Sequence, residues 1–265
     1  MSAAPRRRVG VVGALGRMGE RVRAALAETD DFALGAALES PGHPGLGTPL
    51  EAGVAVGADL GKALAACDVL IDFSVPASSL ALLRAAAEAR VPCVVGTTGF
   101  GEAERAEIAT LARRTPLVLA ANFSVAVNVL VHLVERASRL LGPGFDAEIV
   151  ELHHAAKRDA PSGTALRLAR AVADGRGLGA EARFVLERAG ETGARPPGVI
   201  GIQALRGGDN PGEHTVLFLG SGERLELVHR AATRDHFARG AVTAARWVLG
   251  RAPGLYAMEQ VLGLE

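Results

Sequence analysis

The sequence predicts an α/β protein: a Rossmann-like, doubly wound parallel sheet plus a second α+β domain with a mixed or antiparallel sheet. Three observations predict it. Short apolar runs alternate with helix-period segments through the first half, and the first of these runs leads straight into a turn of spaced glycines. Beyond residue 125 the alternation gives way to a long helix and then to strand-like runs joined by glycine-rich turns. The 265 residues can bury a sizeable core in one or two domains. The boundaries read as 1–125, completed by 235–265, for a dinucleotide-binding domain, and 126–234 for a substrate-binding and oligomerisation domain.

The elements follow in order. Arg8–Gly13 is apolar and rich in β-branched residues, so it reads as a buried strand. Gly13, Gly16 and Gly19 come next, opening a helix over Glu20–Glu28. Strand, glycine turn and helix are the context of a dinucleotide fingerprint, in which the helix N-terminus faces a pyrophosphate. The spacing is G-x-x-G-x-x-G, with Leu15 where the usual pattern has its middle glycine. The same residues also suit a glycine turn in a sheet that holds no nucleotide.

A second strand, Phe32–Leu38, ends at Glu39, twenty residues after Gly19. An acid there accepts hydrogen bonds from the adenine ribose and repels a phosphate on that ribose. Ser40 follows, and no basic residue appears until Lys62, so the charge pattern favours NADH over NADPH. Strands are expected over Asp68–Phe73, Val91–Val95 and Leu117–Ala120, with helices over Pro76–Ala89 and Glu102–Arg113 between them. Gly13, Glu39, Phe73, Gly96 and Asn122 all lie at or just past strand exits, where open α/β sheets bind ligands. Around Gly96, Thr97 and Thr98, small residues let a flat ring lie on the backbone while hydroxyls offer polar contacts.

In the second half, a helix over Val125–Leu141 leads to a strand at Ala147–Val150. A helix over Ala165–Asp174 follows, then runs at Gly198–Arg206, Thr215–Leu219 and Arg224–His229 that read as an antiparallel meander. A last helix, Asp235–Leu249, is placed to return to the first domain. Ser40–Gly57 and Gly175–Gly198 read as irregular.

Between the strand at 147–150 and the helix at 165 lies the most polar segment of the chain. Lysine plus arginine number 29, yet only Lys62 and Lys157 are lysine. A lysine kept in an arginine-biased chain points to an ammonium that can give up a proton, which a guanidinium cannot do. His153 and His154 are adjacent at a strand end, where neighbouring side chains point to opposite faces. Ser162 reads as a helix cap, and the N–H groups of the turn it opens attract an anion. Read more plainly, these are a packed histidine, a chance lysine and an ordinary cap. Their co-location is what points to chemistry.

Composition excludes several classes. The formal net charge is zero and aromatics make up 4%, so a phosphate-tracking or base-stacking nucleic-acid binder is not expected. Cys67 and Cys93 have no metal-like spacing and fit a reduced, cytoplasmic protein. Met1–Arg8 is short and basic, and no apolar run is long enough for a signal peptide or membrane span. His153, His154, His214, His229 and His236 show no ligand spacing, so no metal is expected.

Taken together, these segments resemble the 4-hydroxy-tetrahydrodipicolinate reductase (dihydrodipicolinate reductase) family. The resemblance is carried by Gly13–Gly19, by Gly96, Thr97, Thr98, Gly99 and Phe100, and by Ala121–Ser124 with Asn128. It continues through Glu151, His153, His154 and Lys157, Asp159–Ala165, Gly212–Thr215 and Gly222–Glu226, and so spans nearly the whole chain. It implies a homotetramer that uses NADH or NADPH to reduce a cyclic unsaturated dicarboxylate in lysine and diaminopimelate synthesis. By the family pattern His153 is the proton donor and acceptor, Lys157 is a proton donor, and His154, Gly163 and Thr164 bind substrate. Gly13, Ala14, Leu15, Gly16, Arg17, Met18, Glu39, Gly96, Thr97, Thr98, Ala120, Ala121, Asn122 and Phe123 would line the cofactor. Ser40 departs from members that carry arginine after the ribose-binding acid, while Arg17 leaves use of both cofactors open. Two other readings share the first half: another nicotinamide-dependent amino-acid dehydrogenase, and a dinucleotide-sensing protein without chemistry. The first leaves His153, His154 and Lys157 unexplained; the second predicts NADH binding with no turnover.

Overall fold

The computed structural model describes residues 5–264, so the first four residues of the basic Met1–Arg8 segment lie outside the described residues. Among the described residues no helix is long and apolar enough to cross a membrane. The chain forms two compact units, one running to Val125 and resuming at Asp235, the other Ala126–Arg234.

The first unit begins with β1 (Arg7–Val12), α1 (Arg17–Ala27), β2 (Phe32–Leu38), the short β3 (Val56–Gly57) and α2 (Leu60–Ala66). It continues through β4 (Val69–Asp72), α3 (Pro76–Ala89), β5 (Cys93–Val95), α4 (Glu102–Leu111) and β6 (Pro116–Leu119). The strands read as unbroken apolar runs because both sheet faces are covered. Val69 and Ile71 join one core with Val22 and Leu26 of α1. Leu70, between them, points the other way, to Leu83 of α3 and Ile108 of α4. Each such fully buried side chain contributes roughly 1.5–3 kcal/mol. Asp59 caps α2 by accepting from the Lys62 amide, which places Lys62 in an ordinary first turn.

The second unit takes up the chain with α5 (Val125–Leu141), β7 (Asp146–His153), α6 (Gly163–Gly175), β8 (Phe184–Val185), β9 (Ile200–Arg206), β10 (Glu213–Leu219) and β11 (Arg224–Arg230). Helix α6 buries Ala165, Leu168, Ala169 and Val172, an i, i+3, i+4, i+7 stripe, on Ile149, Ile202 and Val216 of the sheet. The sheet is mixed, in the order β11-β10-β7-β9-β8. This corrects the expected meander. Strands β9 and β10 are not neighbours; β7 lies between them, parallel to β9 and antiparallel to β10. The reason is the intervening α6: a helical crossover returns the chain parallel to β7, and the short 207–212 connection then passes over the end of β7.

The chain returns to the first unit through α7 (Asp235–Val248), β12 (Gly254–Tyr256) and α8 (Met258–Leu262). Ala241, Ala245 and Val248 of α7 complete the core on the α1 face. Strand β12, which the sequence pattern did not reveal, pairs with β6 and closes a seven-stranded parallel sheet in the order β12-β6-β5-β4-β1-β2-β3. The winding direction reverses between β1 and β4, the switch point where such sheets bind ligands.

Candidate active site

At that switch point a cavity of about 460 Å³ is lined by Gly13, Leu15, Gly16, Glu39, Ser40, His43, Phe73, Ser74 and Ser78, among others. Gly13 turns with φ +72°, and a side chain on Gly19 would collide with the Gly13 carbonyl and Ala14. The first glycine therefore makes the turn and the third lets α1 sit on the strand. Glu39 reaches back from β2, and its Oε1 accepts from the Leu15 amide at 2.8 Å. The acid at the end of β2 is thus tied to the glycine turn.

Of the cofactor residues expected from sequence, Gly13, Leu15, Gly16 and Glu39 line this cavity. Ala14 is fully buried and Phe123 is 1% exposed with its ring edge-on to Phe73, so their backbones are what a ligand could touch. Arg17 is exposed and Met18 half-buried on the first turn of α1. Asn122 accepts from the Ser124 amide at 2.8 Å, which shapes the turn after β6; Ala120 and Ala121 retain surface beside it, as does Gly96 after β5. Thr97 differs from expectation. Its hydroxyl is directed inward, 3.3 Å from Asp72, a fully buried carboxyl that also accepts from the Ser79 hydroxyl and the Ser74 amide. Burial pushes Asp72 above the usual carboxylate range, and the three donors restrain that rise. Only Thr98 keeps an exposed side chain there. Phe73, placed by the sequence at a strand exit, also lines the cavity, whereas His43 and Ser78 were not foreseen; no periodicity marks them.

The second cluster belongs to the second unit. His153 ends β7 and is 8% exposed. Its Nδ1 is 2.5 Å from Oε2 of Glu151, and Glu151 is fully buried. Arg206, opposite His153 on β9, grips Glu151 with two parallel bonds of 2.8 Å. The Ser162 amide donates to Glu151 Oε1 at 3.0 Å. The Ser162 hydroxyl caps α6 by accepting from the Ala165 amide and stands 3.1 Å from Nε2 of His214. Adjacent strand residues could not share a face; His154 has left the strand, donating its amide to the Asn210 carbonyl and facing the Arg234 guanidinium through Nε2. The Ala155 amide donates to the Gly208 carbonyl and the Lys157 amide to the His154 carbonyl, which folds the following turn onto the 207–212 loop.

Lys157 is 20% exposed, and its ammonium bridges both oxygens of Asp159 at 2.9 Å, a partner the spacing did not indicate. Gly163 and Thr164 form the first turn of α6. Burial opposes ionisation of Glu151, but Arg206 and His153 override it and hold the carboxyl below its ordinary range. Burial lowers the His153 pKa, and Glu151 limits the fall. Burial, with His153 beside it, lowers His214 to about 3, so His214 is neutral at ordinary pH. A buried carboxylate orienting one imidazole beside a primary amine and a helix N-terminus can bind an acid group and move a proton.

Comparison with known proteins matches the same two halves. Residues 7–123 match the family model described as "Dihydrodipicolinate reductase, N-terminus", and residues 126–262 match "Dihydrodipicolinate reductase, C-terminus". The 4-hydroxy-tetrahydrodipicolinate reductase of Syntrophotalea carbinolica is 49% identical, covering 97% of this chain and 99% of its own. That of Thiobacillus denitrificans is 50% identical with the same coverage. A solved structure of a dipicolinate-bound dihydrodipicolinate reductase from Paenisporosarcina sp. TG-14 superimposes with TM-score 0.79 at 25% identity, covering 96% of this chain and 98% of that one.

Proposed function

This chain belongs to the dihydrodipicolinate reductase family, and from that premise we propose that it reduces 4-hydroxy-tetrahydrodipicolinate to tetrahydrodipicolinate with NADH or NADPH, in lysine and diaminopimelate synthesis. The first unit takes the dinucleotide and the second takes the ring. The observation that carries the reading is the His153–Glu151 pair set beside Lys157 at the cap of α6.

The reduced nicotinamide, when bound, supplies the hydride. The glycine turn fits its pyrophosphate, since a positive φ at Gly13 and the bare Gly16 open the backbone N–H groups at the start of α1. Glu39, in the same cavity, suits the ribose hydroxyls. Ser40 beside it brings no positive charge, which favours NADH.

In the second unit the substrate's two carboxylates find positive partners in Lys157 and the first-turn amides at Gly163 and Thr164, with His154 adding a polar contact. The ring hydroxyl leaves as water with a hydrogen from the adjacent ring carbon, creating a conjugated double bond. As that system gains the hydride its developing negative charge is met by Lys157, and His153 delivers the one proton that balances it. A positioned acid of this kind is worth about 10²–10⁴-fold.

The homotetramer of the family belongs to the same proposal. On the sheet face away from the helices, Val150, Leu152, Leu205, Leu217 and Val228 are uncovered, with Leu205 51% and Val228 39% exposed. A cytoplasmic setting accords with free, buried Cys67 and Cys93. The test of the activity is a coupled assay with freshly generated cyclic substrate. Loss of reduced-nicotinamide absorbance, dependent on that substrate, is expected; its absence would refute the reading.

A further inference from the structure

We propose that Glu151 is the positioning residue of this site: it fixes His153 as the tautomer protonated on Nδ1, so that Nε2 is the nitrogen that exchanges a proton with substrate. The inference rests on the functional reading above and assigns a role to a residue that touches only His153 and its own supports.

The geometry leaves Glu151 little choice. Its carboxylate is fully buried and meets only donors: Ser162 N and Arg206 Nη2 on Oε1, Arg206 Nη1 and the His153 ring on Oε2. An anion surrounded in this way stays an anion. A ring nitrogen 2.5 Å from a carboxylate oxygen with no proton of its own must be the donor, so Nδ1 carries the hydrogen.

The other nitrogen points to the 207–212 loop. A methyl group placed on Gly212 would come within 2.8 Å of Nε2, so the bare glycine keeps that nitrogen approachable. The loop is held by the Asn210 side chain, which accepts from the Gly212 amide at 2.7 Å and donates to Glu213.

The groups around the ring make Glu151 decisive for its charge. Arg206 from β9 and Lys157 from the loop after β7 both oppose a further positive charge. His214 from β10 is neutral. Glu151, on the same strand as His153, is the neighbour that favours the imidazolium. Arg206 also donates to the Asp159 carbonyl at 2.7 Å, so it joins the carboxylate to the segment carrying Lys157 and the α6 cap.

The test combines spectroscopy with kinetics on the full chain. Side-chain ¹⁵N shifts of His153, assigned by their loss in His153→Gln, should show a protonated Nδ1 and a bare Nε2 in the neutral ring. In Glu151→Gln, turnover should fall roughly 10²-fold, the His153 titration should move to lower pH, and NADH affinity should stay within about twofold, whereas Glu151→Asp should recover part of both losses. A merely structural carboxylate would lower thermal stability without moving that titration. A bare Nδ1 in the wild-type protein, or a folded Glu151→Gln with unchanged turnover and titration, overturns the proposal. Should Glu151→Gln not fold, the wild-type shifts decide. Failure of the functional reading looks different: the wild-type protein would not consume the cyclic substrate, whatever its tautomer.

Discussion

Gly212 stands so close to His153 that a single methyl group on it would reach within 2.8 Å of the imidazole Nε2. Gly212 also has φ +144°, a conformation that costs other residues about 1–3 kcal/mol. Gly212→Ala is therefore expected to displace the imidazole and lower turnover about 10²-fold. NADH binding should be unchanged, since Gly212 lies outside the unit that carries the glycine turn. Steady-state rates and fluorescence titration of NADH check this; near-normal turnover in a folded variant would show that Nε2 is not the working nitrogen.

His214 makes the protein acid-sensitive. Its pKa falls from an unfolded 6.5 to about 3. Its Nδ1 is buried without a hydrogen-bond partner among the described residues. Between those two values the unfolded chain binds a proton that the folded chain refuses, so this contribution is complete above pH 6.5 and is lost as pH falls. At about 1.4 kcal/mol per pH unit, wild-type protein should lose about 2 kcal/mol more than His214→Gln between pH 6.5 and 5. Urea unfolding at the two pH values measures the difference. Equal losses would mean that the imidazole is already charged or is solvated in the fold.

Cofactor choice is expected to turn on Ser40, which lines the cavity at the switch point beside Glu39. NADH should be preferred or equal in initial-rate assays. Ser40→Arg should raise kcat/KM for NADPH roughly tenfold by pairing a guanidinium with the ribose phosphate. A strong NADPH preference in the unaltered protein would show that another cation, such as Arg17, reaches that phosphate.

The features written in local sequence were legible: the glycine turn, Phe32–Leu38 as a strand, Val125–Leu141 as a helix and Ser162 as a cap, because each depends on residues a few positions apart. Pairing across the second sheet was not. Gly207–Gly212 looks like a hairpin turn, yet it bridges strands on either side of β7, and this is what lays Asn210 and Gly212 against the two histidines. Glu151 enters from sequence only through the family resemblance, since nothing nearby announces Arg206, 55 residues away, as its partner. Lys157 stood out by composition, but its bridge to Asp159 needed the turn at 154–157. Thr97 read as a ligand contact because the buried acceptor that claims its hydroxyl, Asp72, lies on another strand.

The most direct measurement takes turnover and NADH affinity on the same preparation of Lys157→Ala. The account predicts turnover lower by at least about 10²-fold, with NADH affinity within about twofold of wild type. Turnover within a few-fold of wild type, or a parallel loss of NADH binding, would contradict it.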